Sequence, residues 1–292
     1  MTNIFKKKDK DSHQSDLYLE SLLKIEICAT IFCLILTLTG CTKYHPPLLI
    51  SYTQDGQEIS IKKLTEGSSP SWSPDGKKIA FHEHGGIWIL DLETEIRDHL
   101  APAGTNPSWS PDGKKIAYAN QGIWIWDKKT DKHTRLNREG DHPCWFPYGD
   151  QLAFSQNGIW LADINGSKKR RLFDEGIPLS FAPDGSSLLI EVMEKEHVYF
   201  ILSILNLSNL EAKYLVDGTK GSFAPDGYSI VYSMDGIWIY SLIKKLSTGI
   251  VLDGYDPKWS PVGDRILFNA RGEIWIFDAP YKAINTSKGS IR

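Results

Sequence analysis

The chain has 292 residues, room for one large domain or two small ones. It is 41% hydrophobic and 24% charged, and its ten Trp and twelve Tyr suggest an all-β protein with large rings packed between sheets. A net charge of −3 excludes the broad positive field of a nucleic-acid binder. The one basic run, Lys168-Lys169-Arg170-Arg171, reads as a solvated strand or turn, with a phosphate or lipid-headgroup site as the sharper alternative.

The chain opens with a polar stretch and then an apolar run at residues 27–39. The run is shorter than the roughly 20 residues a membrane-spanning helix needs, and has the length of a signal-peptide core. Leu38-Thr39-Gly40-Cys41 follows it and resembles the lipobox of bacterial lipoproteins. In that family the cysteine is lipidated and becomes the first mature residue. The resemblance implies a lipoprotein-type signal peptide over 1–40 with a long polar lead, lipidation at Cys41, and a membrane-anchored mature protein outside the cytoplasm. An uncleaved anchor is the alternative. Cys28 and Cys33 fall inside the signal, so Cys144 alone stands in the body of the protein. It reads as a small buried hydrophobe.

Residues 41–56 read as a linker, 57–280 as the folded body and 281–292 as a tail. The body is a sixfold repeat. Trp72-Ser73-Pro74-Asp75-Gly76 returns as Trp109–Gly113, Trp145–Gly149, Phe181–Gly185, Phe223–Gly227 and Trp259–Gly263, at spacings of 37, 36, 36, 42 and 36 residues. Pro at the second turn position and Gly at the fourth favour a tight turn between two strands. Lys78-Ile79-Ala80-Phe81 supplies the strand behind the first turn, and Gly86-Ile87-Trp88-Ile89 the next. The latter recurs around Trp124, Trp160, Trp238 and Trp275, with His197-Val198-Tyr199-Phe200 in the divergent fourth repeat. Four strands of about five residues plus short turns account for the period. Apolar residues run consecutively in the third strand, which means that both faces are covered, as in sheets stacked around a ring. The expected fold is an all-β, six-bladed propeller of four-stranded blades. Its ring is closed by an N-terminal strand, Gln57–Leu64, pairing beside the last repeat's third strand.

These repeats resemble the WD40-like (PD40) repeat of the TolB-like propeller family, over residues 57 to about 280. Members of that family carry an α/β domain ahead of the propeller, for which the residues between Cys41 and Trp72 leave no room. The resemblance implies a protein of the bacterial cell envelope, periplasm-facing where there are two membranes.

The repeated turn Asp residues (Asp75, Asp112, Asp184, Asp226) are replaced by Tyr148 and Val262 in two copies, while Pro and Gly persist in all six. That pattern serves a turn, not a ring of carboxylates. The recurrent Trp residues read as inter-blade packing. Function is expected where the repeats differ, in the loops at one end of the channel. The candidate partner-binding residues there are His82, His84, Asn106, Asn120, His142, Lys220 and Asp256, with Ser69 beside them. His82 and His84, two apart on a strand, would point the same way, and with His142 could form a metal site. There is no Gly-x-Ser-x-Gly elbow and no phosphate-binding loop ending in Lys-Ser/Thr. The reading is therefore a non-enzymatic scaffold that needs no cofactor and holds an envelope protein or peptide at the channel face. A metal-dependent propeller enzyme using His82, His84 and His142 is the alternative.

Overall fold

The computed structural model describes residues 59–194, 199–251 and 253–280. The proposed signal peptide, Cys41 and the C-terminal tail lie outside them. The described residues form six four-stranded antiparallel sheets. Five are simple meanders, beginning with Ser68–Trp72, Lys78–Glu83, Gly86–Asp91 and Arg97–Ala101 in blade 1. The sixth joins Tyr255–Trp259, Arg265–Ala270 and Glu273–Asp278 to the first strand among the described residues, Ile61–Glu66. That strand runs antiparallel to the last, with Ile61 opposite Phe277 and Glu66 opposite Glu273. It lies a few residues later than the sequence pattern suggests.

The core sits between blades. Ala80 and Ile89 of blade 1 cluster with Trp109 and Ile116 of blade 2, and Leu189 and Leu202 of blade 4 with Phe223, Ile230 and Tyr232 of blade 5. Ile79, Ala80 and Phe81 are consecutive and all fully buried, so both faces of the strand are dry. Ile79 and Phe81 each contribute about 1.5–3 kcal/mol by leaving water.

The conserved-looking turn works through its side chains as well as its Pro and Gly. Ser73 Oγ donates to Asp75 Oδ1 (2.6 Å), which also accepts from Lys77 N (3.0 Å), and Ser73 Oγ accepts from Lys78 N (2.9 Å). The Asp therefore locks its own turn, as the pattern of replacements suggests. The third-strand indoles bond locally too: Trp124, Trp160 and Trp238 donate to the carbonyls of Asn120, Gln156 and Met234. Arg97 and Lys169 lie over Trp88 and Trp160, at 5.0 and 4.4 Å from the ring centroids.

Blade 4 departs from the expected alignment. Its second and third strands, Ser187–Glu194 and Tyr199–Asn206, have eight residues each, against five or six elsewhere. Ile190 pairs with Ser203 in the register where Phe154 pairs with Trp160. Ser203, not Tyr199 or Phe200, thus takes the Trp position. The longer repeat lengthens this hairpin toward the channel-mouth end, and His197 and Val198 fall outside the described residues.

Candidate functional site at the channel mouth

The first strand of every blade lines the channel, and the way each one starts builds the site. Pairing to the second strand slips by a residue near that start in all six blades, as between Ser68 and Ser71 or Thr219 and Gly221. Such a bulge kinks the strand and re-aims a side chain. At the slipped position stand Ser69, Asn106, His142, Lys220 and Asp256, with φ of 51°, 50°, 51°, 45° and 53°. Other left-handed residues of this chain, such as Gln121 and Asp131, sit in hairpin turns, where that conformation is usual. Inside a strand it costs a side-chain-bearing residue roughly 1–3 kcal/mol and is typical of binding sites. Pro178 occupies the place in blade 4 and has no positive φ, since its ring fixes φ near −65°.

A glycine precedes each of the five left-handed residues by two positions and lies flat on an aromatic ring of the second strand. A Cβ on Gly104 (φ 151°) would stand 2.7 Å from the Tyr118 ring, and one on Gly254 2.6 Å from that of Phe268. Glycine is thus required for the chain to enter the channel at this height.

The six positions share one cavity of about 130 Å³, lined by Ser69, Asn106, His142, Pro178, Lys220 and Asp256. Asp256 lines it, and the carboxylates of Asp141 and Glu191 are hydrogen-bonded to residues of its wall. Asp141 Oδ1 accepts from Asn106 Nδ2 (2.8 Å) and from His142 N (2.7 Å). Buried Glu191 accepts from Thr219 Oγ (2.6 Å) and Lys220 N (2.7 Å) through Oε2. Buried Asp256 lies 2.9 Å from Lys258 Nζ. Lys220 Nζ meets His142 Nε2 at 3.4 Å. Burial, and then the Lys220 charge, push the His142 imidazole below its ordinary pKa, against the pull of Asp141, Glu191 and Asp256. His142 Nδ1 is buried without a hydrogen-bond partner, 3.8 Å from Asp141 Oδ1.

The channel wall beneath is stitched from blade to blade. Ser71, Ser180 and Ser222 accept through Oγ from the backbone N–H of Trp109, Phe223 and Trp259 in the next blade. Trp72 Nε1 donates to Lys258 O (3.1 Å), spanning blades 1 and 6. Cys144 holds the serine place in blade 3, a buried free thiol whose pKa burial pushes up to about 12. It is the inert hydrophobe expected.

Of the sequence candidates, Asn106, His142, Lys220 and Asp256 converge on the cavity with Ser69. His82, His84 and Asn120 do not. Asn120 lines a shallower groove of about 670 Å³ over blades 1–3, with Gln121, Arg138 and Glu139. His82 faces Ser68 Oγ through Nδ1 at 3.2 Å. His84 stands beyond the strand in a left-handed turn (φ 48°), with its side chain 80% exposed, so strand alternation does not align it with His82. Among the described residues no group of three or more His, Cys, Asp or Glu is arranged to hold a metal ion. The alternative His82–His84–His142 convergence is therefore not found among the described residues. Sequence reasoning missed Asp141, Glu191 and Lys258. Asp141 and Lys258 flank named positions on the same short strands, but Glu191 reaches the mouth from the second strand of blade 4.

Residues 49–249 match the TolB beta propeller domain. The chain belongs to this family. TolB from Acinetobacter baumannii is 22% identical with a TM-score of 0.58, over 72% of this chain and 61% of that one. The present chain thus spans about three fifths of that TolB's length. Oligogalacturonate lyase from Vibrio parahaemolyticus (13% identity, TM-score 0.54, 80% of this chain and 97% of that one) is also similar. So is the gluconolactonase XC5397 from Xanthomonas campestris (11%, 0.61, 77% and 90%). At these identities the likeness is one of fold, which TolB-type propellers share with enzymes. No curated protein matches the chain.

Proposed function

We propose that this TolB-type propeller is a non-enzymatic scaffold that holds a protein or peptide at the channel mouth, at the bacterial cell envelope, anchored through a lipid on Cys41. The observation that carries the reading is the set of five left-handed, side-chain-bearing residues within the channel strands, all turned to one cavity. Glycine would remove the backbone strain there, and its absence from all five favours a use for the side chains. The first strand, Ile61–Glu66, begins and the last, Glu273–Asp278, ends at the end of the channel that carries the tight turns, opposite the mouth.

Photocrosslinking in intact cells tests this. A photoreactive residue at position 142 should give a discrete protein adduct, and one at position 75, at the opposite end, should give none. Adducts from both positions or from neither would sink the reading. Labelling with a fatty-acid analogue, lost on Cys41→Ala, tests the anchor.

A further inference from the structure

The rim of the mouth is uneven, because blade 4 stands higher than blade 5. The second and third strands of blade 5 end their pairing at Ser233 and Ile237, and the corresponding pair in blade 4 is Glu191 and Leu202. The blade 4 hairpin continues, and its next pair on the same face is Met193 and Phe200, roughly 7 Å farther on. Leu202 clusters with Phe223, Ile230 and Tyr232 of blade 5 and is fully buried. Met193 and Phe200, past the end of the blade 5 ladder, are 49% and 42% exposed. They form an apolar ledge on a sheet face that is otherwise packed against its neighbour.

The ledge adjoins a mouth of negative charge. Glu191, two residues before Met193 on the same face, bonds the backbone of Lys220, which lines the cavity. With Asp141 and Asp256 it makes three carboxylates, against the two ammonium groups of Lys220 and Lys258. Lys258 answers Asp256 at 2.9 Å. Asn106, Thr219 and two backbone N–H groups bond Asp141 and Glu191, but these neutral donors cancel no charge. Lys220 Nζ donates to His142 Nε2 (3.4 Å), so the imidazole accepts there and is neutral. That bond joins blades 5 and 3, and so draws the ammonium to the blade 4 side, where Pro178 stands. Asp256, Ser69 and Asn106 face the cavity from the other side. A positive group is therefore favoured in the mouth over an anion.

We infer that ledge and mouth together hold one segment of the partner: an apolar side chain rests on Met193 and Phe200, and a Lys or Arg side chain enters the cavity on the Asp256 side. This inference rests on the partner-binding reading above. The cavity of about 130 Å³ has room for a group of a few heavy atoms, such as an ammonium or guanidinium head. A long basic side chain reaches in while its backbone stays at the rim, whereas a chain end would have to bring its backbone inside. Met193 is unbranched and adapts to apolar partners of different shape. The ledge supplies apolar contact, and the mouth selects by charge.

The test uses the immobilised full-length chain and random heptapeptides lacking Asp and Glu. Four pools, acetylated and amidated, contain or lack Lys and Arg, and contain or lack large apolar residues. The pool with both should be retained severalfold better than either partial pool. Met193→Ser/Phe200→Ser should lower its retention to that of the basic, apolar-free pool. Asp141→Asn/Glu191→Gln keeps an acceptor oxygen at each place and removes the charge, and should lower retention of both basic pools at least tenfold. Unchanged tryptophan fluorescence serves as the folding control. Equal retention of basic and base-free pools, or no effect of the amide pair, overturns the basic side chain. No effect of the serine pair overturns the ledge. Retention of a fifth pool, with free amino termini and no Lys or Arg, overturns the side chain in favour of a chain end. Retention of no pool overturns the whole proposal, and the crosslink from position 142 then decides separately whether a partner is held at all.

Discussion

The two ends of the six channel strands obey different rules. At the turn end the repeats agree. Each keeps a Pro and a Gly, the glycine N–H closes the turn, and in blades 1 and 2 a Ser hydroxyl bonds the Asp, as in Ser73–Asp75 and Ser110–Asp112. At the mouth end Ser, Asn, His, Lys and Asp occupy one position in one conformation, φ between 45° and 53°. The backbone repeats there while the side chain varies. A position under packing constraint keeps its chemistry; one that keeps only its geometry is free to be shaped by something outside the chain.

The largest effects should come from breaking the scaffold that both ends share. Phe268 is fully buried, lies 5.7 Å from the Phe277 ring centroid, and supports Gly254 where the chain enters blade 6. Phe268→Ala should cost about 3–5 kcal/mol, read as a lowered urea midpoint. Gly104→Ala acts on the mouth backbone alone: the added methyl meets Tyr118, and the φ of 151° suits glycine. A loss of roughly 1–3 kcal/mol is expected. A neutral result would mean that the close approach to Tyr118 relaxes freely.

At the turn end, Ser73→Ala removes a buried hydroxyl that bonds Asp75, Lys78 N and Lys78 O. It should cost about 1–3 kcal/mol. Lys220→Gly sharpens the contrast. It relieves a left-handed strain of about 1–2 kcal/mol against a glycine entropy cost of about 0.5–1 kcal/mol. Stability should hold or rise by up to about 1 kcal/mol, while the crosslink from position 142 is lost. A substantial loss of stability would mean that Lys220 serves the fold.

The same contrast explains what could be read from the sequence. The turn motif names its own geometry, so six blades, their order and their period were legible from Trp72-Ser73-Pro74-Asp75-Gly76 and its copies. Four of the seven candidate binding residues were also legible, because they sit at a fixed offset ahead of each turn. His82, His84 and Asn120 stand at the second-to-third-strand loops of this end, as read, but do not line the cavity. A loop that shares an end of the propeller with the mouth need not reach the axis, and the left-handed turn at His84 breaks the alternation on which its pairing with His82 depended. Blade 4 misled for a related reason. Without a Trp to mark register, Tyr199-Phe200 looked like the third-strand motif, yet Ser203 holds that place. Glu191 was invisible because only the fold carries it to Lys220.

The smallest effect is a pH dependence, and it separates the mouth from the turns by sign. Burial and the charge of Lys220 depress the His142 pKa, so the folded protein binds a proton there less readily than the unfolded chain. The unfolded state then holds more protons in this window, and stability rises with pH. The His142 contribution is complete above the unfolded imidazole value of about 6.5 and is lost as pH falls toward the folded value. His142→Gln should therefore flatten part of the decline in stability below about pH 6.5. Lys220→Met should shift the imidazole's NMR titration upward, since the carboxylates of Asp141, Glu191 and Asp256 then act with less opposition. At the turn, Asp75 is depressed chiefly by its Ser73 hydrogen bond, so its contribution is present above the unfolded carboxylate value and fades only at more acid pH. An imidazole that titrates normally in the folded protein would mean that the mouth is wetter than its geometry implies. The Lys220 charge would then be screened from the imidazole.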